Sequence, residues 1–177
     1  MKKFLAIPLL AASAAWAGGQ DIEKLAPYYP TPETIVAKML ELGGLKAGEK
    51  MFDLGSGDGR IVIMAAQKFH AQATGVEMDK DLYRQSTAKI RKLGLEKNAR
   101  IINGDILKQN YSPADLITVY LLPNSNDKVA PLLEKQLKKG ARVVAHDFEI
   151  RQWTPAKVET IEDDGEGRSH TLYLYRR

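Results

Sequence analysis

Ten residues, Met51-Phe52-Asp53-Leu54-Gly55-Ser56-Gly57-Asp58-Gly59-Arg60, constrain the fold of this chain more than any other stretch. The first four are mostly apolar, which suits a short buried strand, and the glycine run after them permits a sharp turn with exposed backbone N–H groups. Beyond the turn, Ile61, Val62, Met64, Ala65 and Phe69 recur at helical spacing. Strand, glycine turn and helix in that order predict a doubly wound α/β sheet. The helix start, with its unpaired N–H donors and positive dipole end, attracts electron-rich groups.

Three ligands compete for that position. The dinucleotide fingerprint G-x-G-x-x-G needs a third glycine where this chain has Arg60, so NAD loses ground. A phosphate-cradling loop ends in Gly-Lys-Ser/Thr, which is absent. The third reading uses Asp53: an acidic residue at the strand end followed by Gly55, Ser56, Gly57 and Gly59 resembles the first motif of the class I S-adenosylmethionine (SAM) methyltransferases. SAM carries an amino group, a carboxylate and a sulfonium but no phosphate, so an acidic strand end can hold it where a pyrophosphate would be repelled.

Spacing downstream agrees. Ala73 to Val76 reads as a second strand ending in Glu77, about 20 residues past the turn, the offset at which an acid meets ribose hydroxyls in doubly wound folds. After a helix and a third strand, Asn103-Gly104-Asp105-Ile106 resembles the motif whose Asp contacts the adenine amino group in this superfamily. Both acids stand at strand ends, where open α/β sheets bind ligands.

At 177 residues the chain fits one domain. Its net charge of +4 would fall to +2 without Lys2 and Lys3, and no basic stripe interleaved with aromatics appears, so no nucleic-acid partner is expected. The absence of cysteine excludes disulfides, cysteine nucleophiles and thiolate metal sites. Lys2-Lys3, the apolar run Phe4 to Ala15 and the small-x-small pattern Ala15-Trp16-Ala17 read as a secretory signal peptide over residues 1–17, with the catalytic domain over 18–177. The apolar run is too short to span a bilayer comfortably, since a spanning helix needs about 20 residues. An exported or periplasmic protein is therefore expected, with a membrane anchor as the alternative. Export conflicts with the intracellular supply of SAM.

In chain order, Thr31 is expected to cap a helix with Pro32 at its first position and Ile35, Val36, Met39, Leu40 and Leu42 inward. Lys80 to Leu93 reads as a helix with Leu82, Ile90 and Leu93 buried, and Ala114 to Leu122 as a central fourth strand. Val129 to Lys138 follows as a helix and Ala141 to Ala145 as strand five. Val158 to Ile161 and Ser169 to Tyr175 form an antiparallel hairpin. The fold expected is α/β, a Rossmann-like three-layer sandwich with a mostly parallel sheet and a C-terminal antiparallel hairpin.

Three further stretches narrow the chemistry. Pro27-Tyr28-Tyr29-Pro30-Thr31-Pro32-Glu33, Val119-Tyr120-Leu121-Leu122-Pro123 with Asn126, and Arg142-Val143-Val144-Ala145-His146-Asp147-Phe148 together resemble the protein-lysine methyltransferases that modify the c-ring protein of ATP synthase and the adenine nucleotide translocase, with their archaeal relatives. The resemblance covers roughly residues 27–153 and implies a protein with an accessible lysine as methyl acceptor. Tyr29 departs from the aliphatic residue usual there, and the signal-like leader departs from the membrane-targeting segment of the mitochondrial members. Transfer from a sulfonium is an in-line displacement that needs alignment and exclusion of water, and no metal is required. The acceptor amine must shed its proton, because a free lysine titrates near pH 10.4. Tyr120, Pro123, Asn126 and Asp147 are the rim candidates and Tyr28 the lid. His146 and Asp147, adjacent on a strand, are expected on opposite faces, and His70 and His170 on the surface. The Asn/Asp-Pro-Pro-Tyr/Phe motif of nucleic-acid amino methyltransferases is absent. A small-molecule methyltransferase, or an exported protein that binds SAM without turnover, remains as the alternative.

Overall fold

The computed structural model describes residues 28–177; the leader expected over residues 1–17 lies outside them. Strands β1 (Lys50–Leu54), β2 (Gln72–Glu77), β3 (Ala99–Asn103), β4 (Leu116–Val119) and β5 (Arg142–His146) alternate with helices α1 (Glu33–Leu42), α2 (Arg60–Phe69), α3 (Lys80–Lys92) and α4 (Pro123–Gln136). β6 (Lys157–Ile161) and β7 (His170–Arg176) follow. They join one sheet in the order β3-β2-β1-β4-β5-β7-β6. The first five strands are parallel, and β7 runs antiparallel to both β5 and β6. This is the expected Rossmann-like arrangement.

The sheet is covered on both faces, which is why its central strands are apolar on both sides. One apolar cluster joins Ile35, Val36, Met39 and Leu40 of α1 to Ile61, Met64 and Ala65 of α2. The other joins Phe52, Leu54 and Ile117 to Val129 and Leu133 of α4 and to Tyr175. The chain winds outward in both directions from β1 and β4, so the crevice beyond their carboxyl ends is where such a sheet takes a ligand.

Four local expectations need correction. β4 covers only Leu116–Val119, because its register with β1 and β5 stops there; Leu121 turns into the crevice and Leu122 is exposed. α4 starts at Pro123, six residues before the predicted start. The polar run Asn124 to Lys128 hides its helical period, but Pro123 in the first helical position is pre-set for the turn. Thr31 does not cap α1: Pro32 takes that position with no side-chain bond, and the Thr31 hydroxyl faces His146 Nδ1 at 3.3 Å. Leu93, expected inward, is exposed as the cap residue of α3, itself still in helical conformation, just before the left-handed Gly94 turns the chain away.

Candidate functional site

The end of β1 and the glycine turn build one side of a cavity of about 290 Å³, lined there by Asp53, Gly55, Ser56, Gly57 and Asp58. Gly59 is the left-handed residue from which α2 starts. Gly57 has φ +52, and a Cβ placed on it would stand 2.7 Å from the ring of Tyr28, so the turn and the aromatic above it fit only without a side chain. Across the turn, Gly75 of β2 leaves room for Ser56; a Cβ there would lie 2.4 Å from the Ser56 hydroxyl. Tightness at these two glycines sets how closely the turn lies over the sheet.

Glu77, at the end of β2, lines the same cavity and is buried. Its Oε2 accepts the Gly57 N–H at 2.7 Å and its Oε1 accepts the Asp79 N–H at 2.8 Å. The carboxylate therefore braces the glycine turn as well as facing the cavity. Asp53 is buried beside it and accepts the Thr118 hydroxyl at 2.8 Å. Burial first, then the nearby Glu77 and Asp58 carboxylates, push Asp53 up to about 7 against the opposing hydrogen bond from Thr118. Asp105 caps the short 3-10 turn Ile106–Lys108, its Oδ1 accepting the Leu107 N–H at 2.8 Å. Its neighbour Ile106 lines the cavity, and Asp105 does not.

These residues fit SAM. Two buried carboxylates suit a ligand with a cationic end and hydroxyls, and Ile61, Val76, Leu82 and Ile106 offer an apolar wall for a flat base. Arg60, which stands where a third glycine would serve a dinucleotide, bonds both Asp58 oxygens at 2.9 and 3.0 Å and the Thr31 carbonyl at 2.8 Å. That guanidinium is committed, and a pyrophosphate would meet carboxylates instead.

An aromatic wall of Tyr28, Tyr29 and Tyr120 also lines the cavity, with the Tyr28 ring over the glycine turn. The Tyr120 hydroxyl donates to Asp147 Oδ2 at 3.2 Å. Burial, and then that carboxylate, push Tyr120 up to about 12, so it remains a hydroxyl at physiological pH. Asp147 itself lies just behind the wall, half out of solvent. Its side chain does not point away from His146 as strand alternation predicts, because Asp147 leaves the strand in the left-handed region at φ +55. The turn brings Asp147 Oδ2 within 3.4 Å of His146 Nε2. His170, expected on the surface, is buried on β7 with its Nδ1 2.9 Å from His146 Nε2. Burial pulls His146 down to about 4, leaving a neutral imidazole. His70 is exposed, as expected. Asn126 lies behind the rim, fully buried, and its amide donates to the carbonyls of Phe148 at 2.9 Å and Glu149 at 3.3 Å. It fixes the loop that carries Asp147.

Sequence reasoning missed the pairing of His146 with His170. The signal was available in part: both sit on apolar β-period stretches, but only the antiparallel register His146↔Leu172 places them side by side.

Known proteins bear on this geometry. Residues 53–157 match the model of the ANTKMT methyltransferase domain. The chain is 44% identical to the protein-lysine N-methyltransferase of Saccharolobus islandicus over 84% of its own length and 92% of that protein. It is 30% identical to the Homo sapiens lysine N-methyltransferase named for the c-ring protein of ATP synthase, over 75% of its length and 56% of the human one, so it spans about half the length of that relative. A solved RNA methyltransferase from Salinibacter ruber, in complex with S-adenosyl-L-homocysteine, superimposes with a TM-score of 0.77 at 37% identity, covering 84% of this chain and 93% of that one.

Proposed function

This chain belongs to the ANTKMT methyltransferase domain family of SAM-dependent methyltransferases, and from that membership we propose that it methylates the ε-amine of a lysine in a protein substrate. The observation that carries the lysine reading is the mouth of the cavity, where the Tyr120 hydroxyl is backed by the Asp147 carboxylate. A carboxylate-backed aromatic wall favours a cationic side chain. The neighbouring arginines do not offer a grip for nucleic-acid phosphates: Arg60 is held by Asp58, and Arg168, over the Tyr29 ring, pairs with Asp164 and Glu166.

SAM, when bound, supplies a methyl group on a sulfonium that leaves as a thioether. Asp53 and Glu77 hold the cofactor's cationic and ribose ends, and Asp105 supports the base pocket by capping the turn that carries Ile106. Tyr28 covers the glycine turn as a lid, excluding water from the reacting centre. Tyr120 orients the incoming amine through its oxygen, and Asp147 receives the hydrogen bond that fixes that oxygen. The neutral amine is favoured by burial beside a cation. Asn126 acts at one remove by holding the Phe148–Glu149 carbonyls.

The test uses tritium-labelled SAM and a cell extract. Label is expected in the protein fraction, resistant to ribonuclease, and lost when the extract's lysines are first blocked by acetylation. Label in RNA, destroyed by ribonuclease, would replace this reading with the one the Salinibacter neighbour's description suggests. The leader is part of the same proposal: residues 1–17 direct export, so protein recovered from the producing cell should start at Gly18. An N-terminus at Met1 in the cytoplasmic fraction would remove the export reading and with it the difficulty of SAM supply. Among the described residues no helix is long and apolar enough to cross a membrane.

A further inference from the structure

Two of the chain's three histidines meet behind the acceptor wall, in a cluster of which the methyl transfer uses only Asp147. His146 ends β5, His170 begins β7, and Asp147 turns back between them. His146 Nε2, His170 Nδ1 and Asp147 Oδ2 stand 2.9, 3.3 and 3.4 Å from one another. Atoms bound to a tetrahedral Zn²⁺ at about 2.0–2.1 Å stand about 3.3 Å apart, so three donors are already spaced as one face of such a site. We infer that His146, Asp147 and His170 bind a divalent transition-metal cation of the zinc class, at a site separate from the SAM crevice.

The surroundings of the three donors support this. A metal-bound histidine has its other ring nitrogen held by an oxygen, which fixes the ring and leaves the ligating lone pair free. Here His170 Nε2 faces Asp164 Oδ2 at 3.2 Å and His146 Nδ1 faces the Thr31 hydroxyl at 3.3 Å. Asp164 is itself fixed, its Oδ1 accepting the N–H groups of Glu166 at 2.7 Å and Arg168 at 3.2 Å. Both outer positions are thus occupied, and the inner nitrogens converge on the Asp147 oxygen. Without a cation the two inner nitrogens share one proton between them, and Asp147 Oδ2 is left with the Tyr120 hydroxyl as its donor. Nitrogen and oxygen donors without thiolate select zinc-class cations over magnesium or calcium, which prefer all-oxygen cages. Entry is from the Asp147 side, since that side chain is 27% exposed while His146 is fully covered. Among the described residues no other group of three such side chains converges.

The consequence is mechanical. Thr31 belongs to the segment lining the crevice, Asp164 to the β6–β7 turn and His146 to β5, so one cation ties together three elements, of which the Thr31 segment reaches the crevice.

The experiment uses the full chain without a histidine tag, stripped with chelator, titrated with Zn²⁺ by calorimetry and with Co²⁺ by visible absorption. One ion per chain is expected, with the intense bands of tetrahedral Co²⁺ and a rise of several degrees in the melting temperature. Asp147→Asn keeps a residue that tolerates the left-handed backbone, so it folds and should lose at least tenfold in affinity, as should His170→Gln. His70→Gln, distant and exposed, should bind as the unaltered chain does. No uptake by the unaltered chain, or equal uptake by Asp147→Asn, overturns the site. Neither result bears on SAM binding, which is measured on the unaltered chain without added metal.

Discussion

Replacing Asp53 by asparagine is expected to cost the protein its cofactor and, at the same time, to make the cofactor-free form harder to melt. The carboxyl group is buried and its pKa is raised from 3.8 to about 7, with burial as the first cause. The sign follows from linkage. A folded-state pKa above the unfolded one favours the protonated form, so this contribution is fully present below about pH 4 and is lost as the pH rises through 7. The loss reaches about 4 kcal/mol at most, and the neutral amide avoids it while still accepting the Thr118 hydroxyl. A gain of several degrees in melting temperature at pH 8 should result, at about 2–4 °C per kcal/mol for a domain of this size. Bound SAM brings the positive charge that a buried Asp53 carboxylate lacks. SAM affinity of the unaltered chain should therefore climb towards tenfold per pH unit between pH 5 and 7, with proton release visible in calorimetry across buffers of different ionisation enthalpy. In Asp53→Asn that slope should vanish and affinity should drop at least a hundredfold. An asparagine variant that binds SAM as well as the original would remove Asp53 from the cofactor site.

Gly57→Ala is the second large effect. An alanine loses about 1–2 kcal/mol to the left-handed backbone alone, and its Cβ would meet the Tyr28 ring at 2.7 Å. The turn would have to move, and the Glu77 Oε2 bond to the Gly57 N–H would break with it. SAM affinity should fall by tenfold or more, with a melting temperature several degrees lower. Combining Gly57→Ala with Tyr28→Ala separates the causes. Relief of the clash should recover part of the stability, while the backbone cost remains. A Gly57→Ala protein with unchanged affinity would show that the turn can shift without consequence for the ligand.

What the sequence disclosed and what it hid divide by distance along the chain. Asp53, the glycine turn and Glu77 were legible because the strand, the turn and the ribose offset lie within 30 residues and follow from local spacing. The structure added that Glu77 also props the turn, which spacing alone does not say. Asn126 and Asp105 were named as site residues from the resemblance, yet each side chain works on a neighbouring backbone. The histidine cluster was hidden for two physical reasons. His170 reaches His146 only through the β5–β7 pairing, and Asp147 departs from strand geometry, so the alternation that predicted opposite faces no longer applied. Thr31, followed by Pro32, read as a helix cap, but a long-range partner, His146, took its hydroxyl. β4 was overextended because hydrophobicity cannot distinguish a residue that faces a partner strand from one that faces a ligand, as Leu121 does.

The position of β7 between β5 and β6 gives synthesis of this protein a direction. β1 to β4, whose carboxyl ends border the cofactor crevice, can pair as they leave the ribosome, each new strand finding a neighbour already in place. β6 emerges too early: the strand it pairs with does not yet exist, and β5 meanwhile shows a bare edge that includes His146. A nascent chain paused there would hold a nearly finished nucleotide half and an unsealed acceptor half. The acceptor half is therefore sealed last, by a strand that must enter between two already made.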